Sequence, residues 1–270
     1  MFRRPQIMGI LNVTPDSFSD GGRYGDLEAA VRQARRMVDD GADSLDIGGE
    51  STRPGARTVP WQVERDRVVP VIRAIREATR DDDPEPVLSV DTRKPEVAEA
   101  AILAGADIWN DVTALTYSED SLPLAADLGC PVILMHAQGP PETMQDRPTY
   151  DDPVEEVLAY LRRRLAACEA AGVERERVTI DPGIGFGKRL EDNLAILRGT
   201  ARFADLAPTL IGTSRKSFIQ TIDGSPVEKR LAGSLASGLF AASNGAAILR
   251  VHDVAETRQA IRIWESIANV

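Results

Sequence analysis

The chain has 270 residues, 43% of them hydrophobic and 27% charged, the mixture of a soluble protein long enough to bury one large core. No run approaches the roughly 18 apolar residues of a membrane span, and the apolar run after Arg3 and Arg4 is too short for a signal segment. The net charge of −10 argues against nucleic acid, which needs a basic face, but leaves room for a small anion held by a few local cations.

Short β-type runs alternate with amphipathic helical stretches along the whole chain. Strands are expected at residues 6–11, 44–47, 87–90, 107–109, 132–135, 178–180, 209–211 and 247–251, several of them continuous apolar runs suited to cover on both faces. Apolar positions three and four apart predict helices over 26–40, 63–79, 95–104, 153–171 and 228–243. Gly41, Gly105, Gly129 and Gly172 fall just after helical stretches, where a C-cap glycine belongs. Strict alternation implies right-handed crossovers and a parallel sheet. Eight such units favour a closed (β/α)8 TIM barrel, which runs to about 250 residues. No linker divides residues 1–270, so they read as one domain. Cys130 opens an apolar run and Cys168 sits in a helical stretch, with no CxxC pattern and no histidine nearby. Both read as inert thiols of a reducing cytoplasm.

In this architecture the active site lies at the C-terminal ends of the strands. Each expected strand leads there to a polar group: Asn12, then Asp46 with Glu50 beyond it, Asp91, Asn110 with Asp111, His136, Asp181, the segment 214–217, and Arg250 with His252. Asp91, Asn110 and Asp181 offer acceptors, and a carboxylate takes two parallel N–H bonds from an amidine-like ring edge. Lys216, Arg250 and His252 offer cations and donors suited to phosphate. Acceptors on one side and cations on the other suit a heterocycle carrying a phosphate ester. The glycine-rich segments 20–22 and 48–55 are placed as substrate-covering loops.

The run 181–188 is not a Walker loop, because three residues separate Gly183 from Gly187 and Arg189 follows Lys188. It reads as a tight turn bringing backbone and Phe186 close to a flat ligand. Two histidines without a Cys/His cluster make a zinc site improbable, and no GxSxG motif marks a nucleophile. The competing roles are a turn cap for Asp181 and an ion pair with Asp253 for Arg250, while Glu50, Asp111 and His136 stay open between structural and functional roles.

Residues 8–22, 46–56, 89–92, 110–112, 135–136, 181–188, 214–217 and 250–253 closely resemble, in the same order, the motifs of the dihydropteroate synthase family. The resemblance implies condensation of 6-hydroxymethyl-7,8-dihydropterin pyrophosphate with p-aminobenzoate and release of pyrophosphate. By the same resemblance Asp91, Asn110, Asp181 and Lys216 would line the pterin pocket. Asn12 would help hold Mg²⁺ on the pyrophosphate, and Arg250 and His252 would bind that leaving group. Thr52 and Arg53 would close over the aminobenzoate, with Phe18 and Pro54 beside its ring and Ser217 at its carboxylate. A homodimer is also implied. The alternatives are a methyltetrahydrofolate methyltransferase, which has no need of the cationic segments 214–217 and 250–252, a non-catalytic pterin-binding barrel, and a sugar-phosphate barrel enzyme such as an aldolase.

Overall fold

Strands buried on both faces need apolar side chains in both registers of the pleat, and the eight strands here have them. They are β1 (Gln6–Asn12), β2 (Ser44–Gly48), β3 (Val87–Asp91), β4 (Ile108–Asp111), β5 (Val132–Met135), β6 (Val178–Asp181), β7 (Leu210–Ile211) and β8 (Ile248–Val251). The helices are α1 (Gly22–Asp39), α2 (Trp61–Ala78), α3 (Pro95–Leu103), α4 (Ser121–Leu128), α5 (Pro153–Ala171), α6 (Leu190–Arg198), α7 (Thr200–Ala204), α8 (Ser217–Asp223), α9 (Leu231–Ser243) and α10 (Val254–Ala268). This is a computed structural model that describes residues 4–14, 22–51, 56, 58–139, 143–146 and 148–268.

All neighbouring strands are parallel, in the order β6-β5-β4-β3-β2-β1-β8-β7. A bridge between Ile180 and Thr209, with the Ile180 N–H donating to Pro208 O at 2.9 Å, joins β6 to β7 and completes the ring. Each expected strand is present. The expected helix over 228–243 is divided instead, into a 3-10 turn at Val227–Lys229 and α9. Arg230 at the junction is buried and turns inward, donating to Ser225 O at 3.0 Å and Arg215 O at 2.9 Å. Gly129 and Gly172 cap α4 and α5 in the left-handed region, at φ 59° and 98°.

Two apolar layers follow from the alternation of side chains along each strand. Leu45, Leu88, Val90, Trp109, Leu134 and Ile180 face the helices and pack with residues such as Ala34, Ile72, Val97 and Leu161. Met8, Ile133, Leu210 and Ile248 form a separate small cluster, the floor inside the barrel. Above that floor the interior positions turn polar. The register places Asn12 opposite Gly48, Gly48 opposite Asp91, Asp91 opposite Asn110 and Asn110 opposite Ile133, one row across five strands.

Trp109 is fully buried on β4, and its indole N–H donates to Thr92 O at 2.7 Å just past the end of β3. Trp109→Phe leaves that carbonyl without its donor and opens a gap. Urea denaturation should show a loss of about 2–4 kcal/mol.

Candidate active site

Arg250 begins low on the barrel wall, paired in register with Met8, and its long side chain climbs the interior. Its Nε donates to Asp46 Oδ2 and its Nη2 to Asp91 Oδ2, each at 2.6 Å. The competing pairing of Arg250 with Asp253 is therefore incorrect: Asp253 bonds Arg215 outside the barrel mouth, with Nε to Oδ2 at 3.0 Å. Burial opposes the charge on Arg250, but Asp46 and Asp91 hold it protonated. Burial also pushes Asp91 up to about 7, against the pull of Arg250. Asp46 is fully buried and also accepts from Asn110 Nδ2 at 3.0 Å. Because a carboxylate accepts only, this bond settles the amide orientation and turns the Asn110 oxygen away as an acceptor.

Among the described residues, Asp91 Oδ1 and Asp46 Oδ1 are buried oxygens without a hydrogen-bond partner. Asp181, at the end of β6, is also buried, and burial raises its carboxyl above the ordinary range. Its Oδ1 accepts the Gly183 N–H at 2.7 Å, so the turn-cap role is real and engages one of its two oxygens. The turn it caps carries Phe186, whose ring lies 4.1 Å from Lys216 Nζ. Lys216 also donates to Ile184 O at 2.7 Å. Burial lowers its ammonium to about 8, with Asp181 opposing that shift.

Asn12 ends β1 across Gly48 from Asp91. A Cβ at Gly48 would stand 3.6 Å from Asp91 Oδ2 and 3.8 Å from Asn12 Oδ1, in the space between them. Asn12 supplies one neutral oxygen, and no cluster of three His, Cys, Asp or Glu side chains poised for a metal occurs among the described residues. That donor set is too sparse for an all-protein cage. It fits a Mg²⁺ that arrives with phosphate oxygens and keeps its waters. His252 lies beyond β8, sharing its Nδ1 with Ser214 Oγ at 3.0 Å while its backbone N–H donates to the same oxygen. Ser217 is exposed at the start of α8. Phe18, Thr52, Arg53 and Pro54 lie outside the described residues.

The three residues left open each make hydrogen bonds within the protein. Asp111 accepts from Thr113 N and Oγ1 at 2.7 Å and from Leu115 N at 2.8 Å, holding a turn in which Ala114 and Leu115 have positive φ. Glu50 accepts from Val59 N at 2.8 Å and pairs with Arg93 and Lys94, and Lys94 also bonds the buried Glu64. His136 accepts from Lys188 Nζ at 3.0 Å through Nδ1, which leaves Nε2 as the protonated nitrogen of the neutral ring. Burial, reinforced by Lys188, lowers His136 to about 3. Burial also lowers Lys188 to about 7. Cys130 and Cys168 are buried and free, and burial raises both thiols, Cys168 to about 11, as suits inert side chains. Two important side chains were given no role from the sequence. Asp46 was marked only as the polar residue ending the second strand, and Lys188 only as the end of a glycine-rich run.

A family model for pterin binding enzymes matches residues 8–252. A dihydropteroate synthase of Escherichia coli (strain K12) is 48% identical over 264 residues, covering 97% of this chain and 91% of that protein. The Haemophilus influenzae dihydropteroate synthase is 44% identical over 266 residues, covering 98% of this chain and 94% of its own. A solved structure of the Xanthomonas albilineans dihydropteroate synthase with 4-aminobenzoic acid is 49% identical, with a TM-score of 0.92 over 100% of this chain and 95% of that one. The enzyme of the same organism in complex with 7,8-dihydropteroate gives 46% identity and a TM-score of 0.88, covering 100% of this chain and 96% of that one.

The depressed His136 value has a pH consequence. The unfolded ring binds a proton near 6.5 and the folded one only near 3. Its contribution to stability is present above 6.5 and is lost as the pH falls through about 3. His136→Gln should therefore lose less stability than the parent protein between those two values, measured by urea denaturation across the interval.

Proposed function

The chain belongs to the dihydropteroate synthase family of pterin-binding enzymes, and on that premise we propose how its barrel mouth joins 6-hydroxymethyl-7,8-dihydropterin pyrophosphate to p-aminobenzoate, giving 7,8-dihydropteroate and pyrophosphate. The observation that carries this reading is the buried, unpartnered oxygen of Asp91 beside an Asn110 oxygen already turned outward by Asp46. Buried acceptors of this kind are costly unless a ligand completes them. The N–H edge of a pterin does so, with Asp181 as a further acceptor. Relatives that match nearly the whole chain are named dihydropteroate synthases, which sets the methyltransferase reading aside.

The aminobenzoate amine is a weak nucleophile, so departure of pyrophosphate leads. The C–O bond at the pterin methylene breaks ahead of C–N bond formation, and the amine nitrogen then gives its proton to the departing pyrophosphate or to water. Arg250 uses only Nε and one Nη2 hydrogen on carboxylates among the described residues. Its other N–H groups, with His252, take the departing anion. Asn12 would hold the accompanying Mg²⁺, which supplies charge neutralisation on the pyrophosphate when bound. Asp91 and Asp181 steady the positive charge that develops on the pterin. Lys216 and Phe186 flank the ring system, and Ser217 receives the aminobenzoate carboxylate. Phe18, Thr52, Arg53 and Pro54 complete the second-substrate side.

Two free cysteines suit a cytoplasmic enzyme, and no helix among the described residues is long and apolar enough to cross a membrane. The exposed Phe240 on α9 and Ile263 and Ile267 on α10 support a homodimer, with twice the chain mass expected in light scattering.

Pyrophosphate release that requires the dihydropterin pyrophosphate, p-aminobenzoate and Mg²⁺ together is the expected outcome. Pyrophosphate release with all three present but without formation of 7,8-dihydropteroate would refute the condensation. Arg250→Ala should cut kcat by about 100-fold or more, and it should lower the melting temperature because Asp46 and Asp91 lose their shared cation. Asp181→Asn exchanges one acceptor for a donor facing another donor. Calorimetry should show pterin affinity weakened by about 10- to 100-fold.

A further inference from the structure

Residues 183–187 contain three glycines with positive φ, at 71°, 83° and 60°, a backbone free to take many shapes. Yet four successive carbonyls in this turn are each held by a side chain. Lys216 donates to Ile184 O at 2.7 Å, Gln145 to Gly185 O at 2.7 Å, Lys188 to Phe186 O at 3.0 Å and Tyr150 to Gly187 O at 2.8 Å. Lys188 stands apart from the other three. It is 3% exposed, and its ammonium also reaches His136 Nδ1 at 3.0 Å and His136 O at 3.3 Å. Its three donors thus meet three neutral acceptors, and among the described residues none of its hydrogen bonds goes to a carboxylate. A buried cation without a bonded anion is expensive. What it secures is the joint between the end of β5 and this turn. The two are pressed so closely that a Cβ on Gly183 would fall 1.9 Å from His136 O.

We infer that Lys188 is a positioning residue for the substrate pocket: by latching Phe186 O to His136, it sets where the Phe186 ring meets Lys216. The inference rests on the reading above, in which Phe186 and Lys216 flank the ring substrates. The hydrogen bonds of Lys188 go to His136 and to the backbone of the turn, and none goes to the Phe186 ring or to Lys216. Its loss loosens the pocket wall and leaves the leaving-group cations in place, so the effect falls on substrate binding more than on turnover.

The test is steady-state kinetics on the full chain with both substrates varied, together with melting temperatures. Lys188→Met keeps the length of the stem and removes the donors. The KM for the dihydropterin substrate should rise about 10-fold, the equivalent of one buried hydrogen bond to a charged group, with kcat within about threefold. Lys188→Gln, which keeps an amide donor, should fall between Met and the parent and carries the test if the Met variant does not fold. Folded variants with unchanged KM, or with kcat reduced at constant KM, would overturn the inference. An inactive parent protein would instead count against the synthase reading, so the two failures are distinct.

Discussion

One guanidinium spanning two buried carboxylates organises the mouth of this barrel. Without Arg250, Asp46 and Asp91 would be uncompensated charges inside an apolar ring, and Asp91, which burial already pushes up, would lose the cation that opposes that shift. With it, Asp46 stays available to orient Asn110, and Asp91 keeps one oxygen unpartnered among the described residues. Asp91, the proposed pterin acceptor, and Arg250, the proposed leaving-group cation, are therefore parts of one hydrogen-bonded unit, so a change at either end reaches the other.

Around that unit the site is built on rigid supports. Asp91 and Asn110 stand on adjacent strands in one register row, and Asp181 ends a third strand. The turn beyond Asp181 has a permissive backbone, but its carbonyls are gripped by four side chains, two from the stretch between β5 and α5, one directly after the turn and one just before α8, so glycine serves close approach. Beside the site, Arg93, two residues beyond Asp91, donates to both Glu50 and Thr58.

Much of this was legible in the residues themselves. Alternating apolar runs and helical periods marked the eight strands, and the polar residue ending each strand marked the face that carries the site. Those signals are local: a side chain's period along its own element determines which face it occupies. Where local signals misled, a long-range bond was the cause. The helical pattern over 228–243 breaks because Arg230 turns back to carbonyls up to fifteen residues earlier. Arg250 has an acid three residues away in Asp253, yet it bonds carboxylates 159 and 204 residues distant.

The sequence by itself determined the barrel, the family and the set of polar side chains at its mouth, because each rests on short patterns and ordered motifs. Only the tertiary structure decided which of those charges pair. It assigned Asp46 to Arg250 and Asn110, gave Lys188 to His136 and the Phe186 turn, and paired Glu50 with Arg93 and Asp111 with the backbone of its own turn. The physical reason is that ring closure brings strands from opposite ends of the chain within hydrogen-bonding distance. Pairing inside a barrel depends on that three-dimensional proximity and on burial, neither of which separation along the chain encodes.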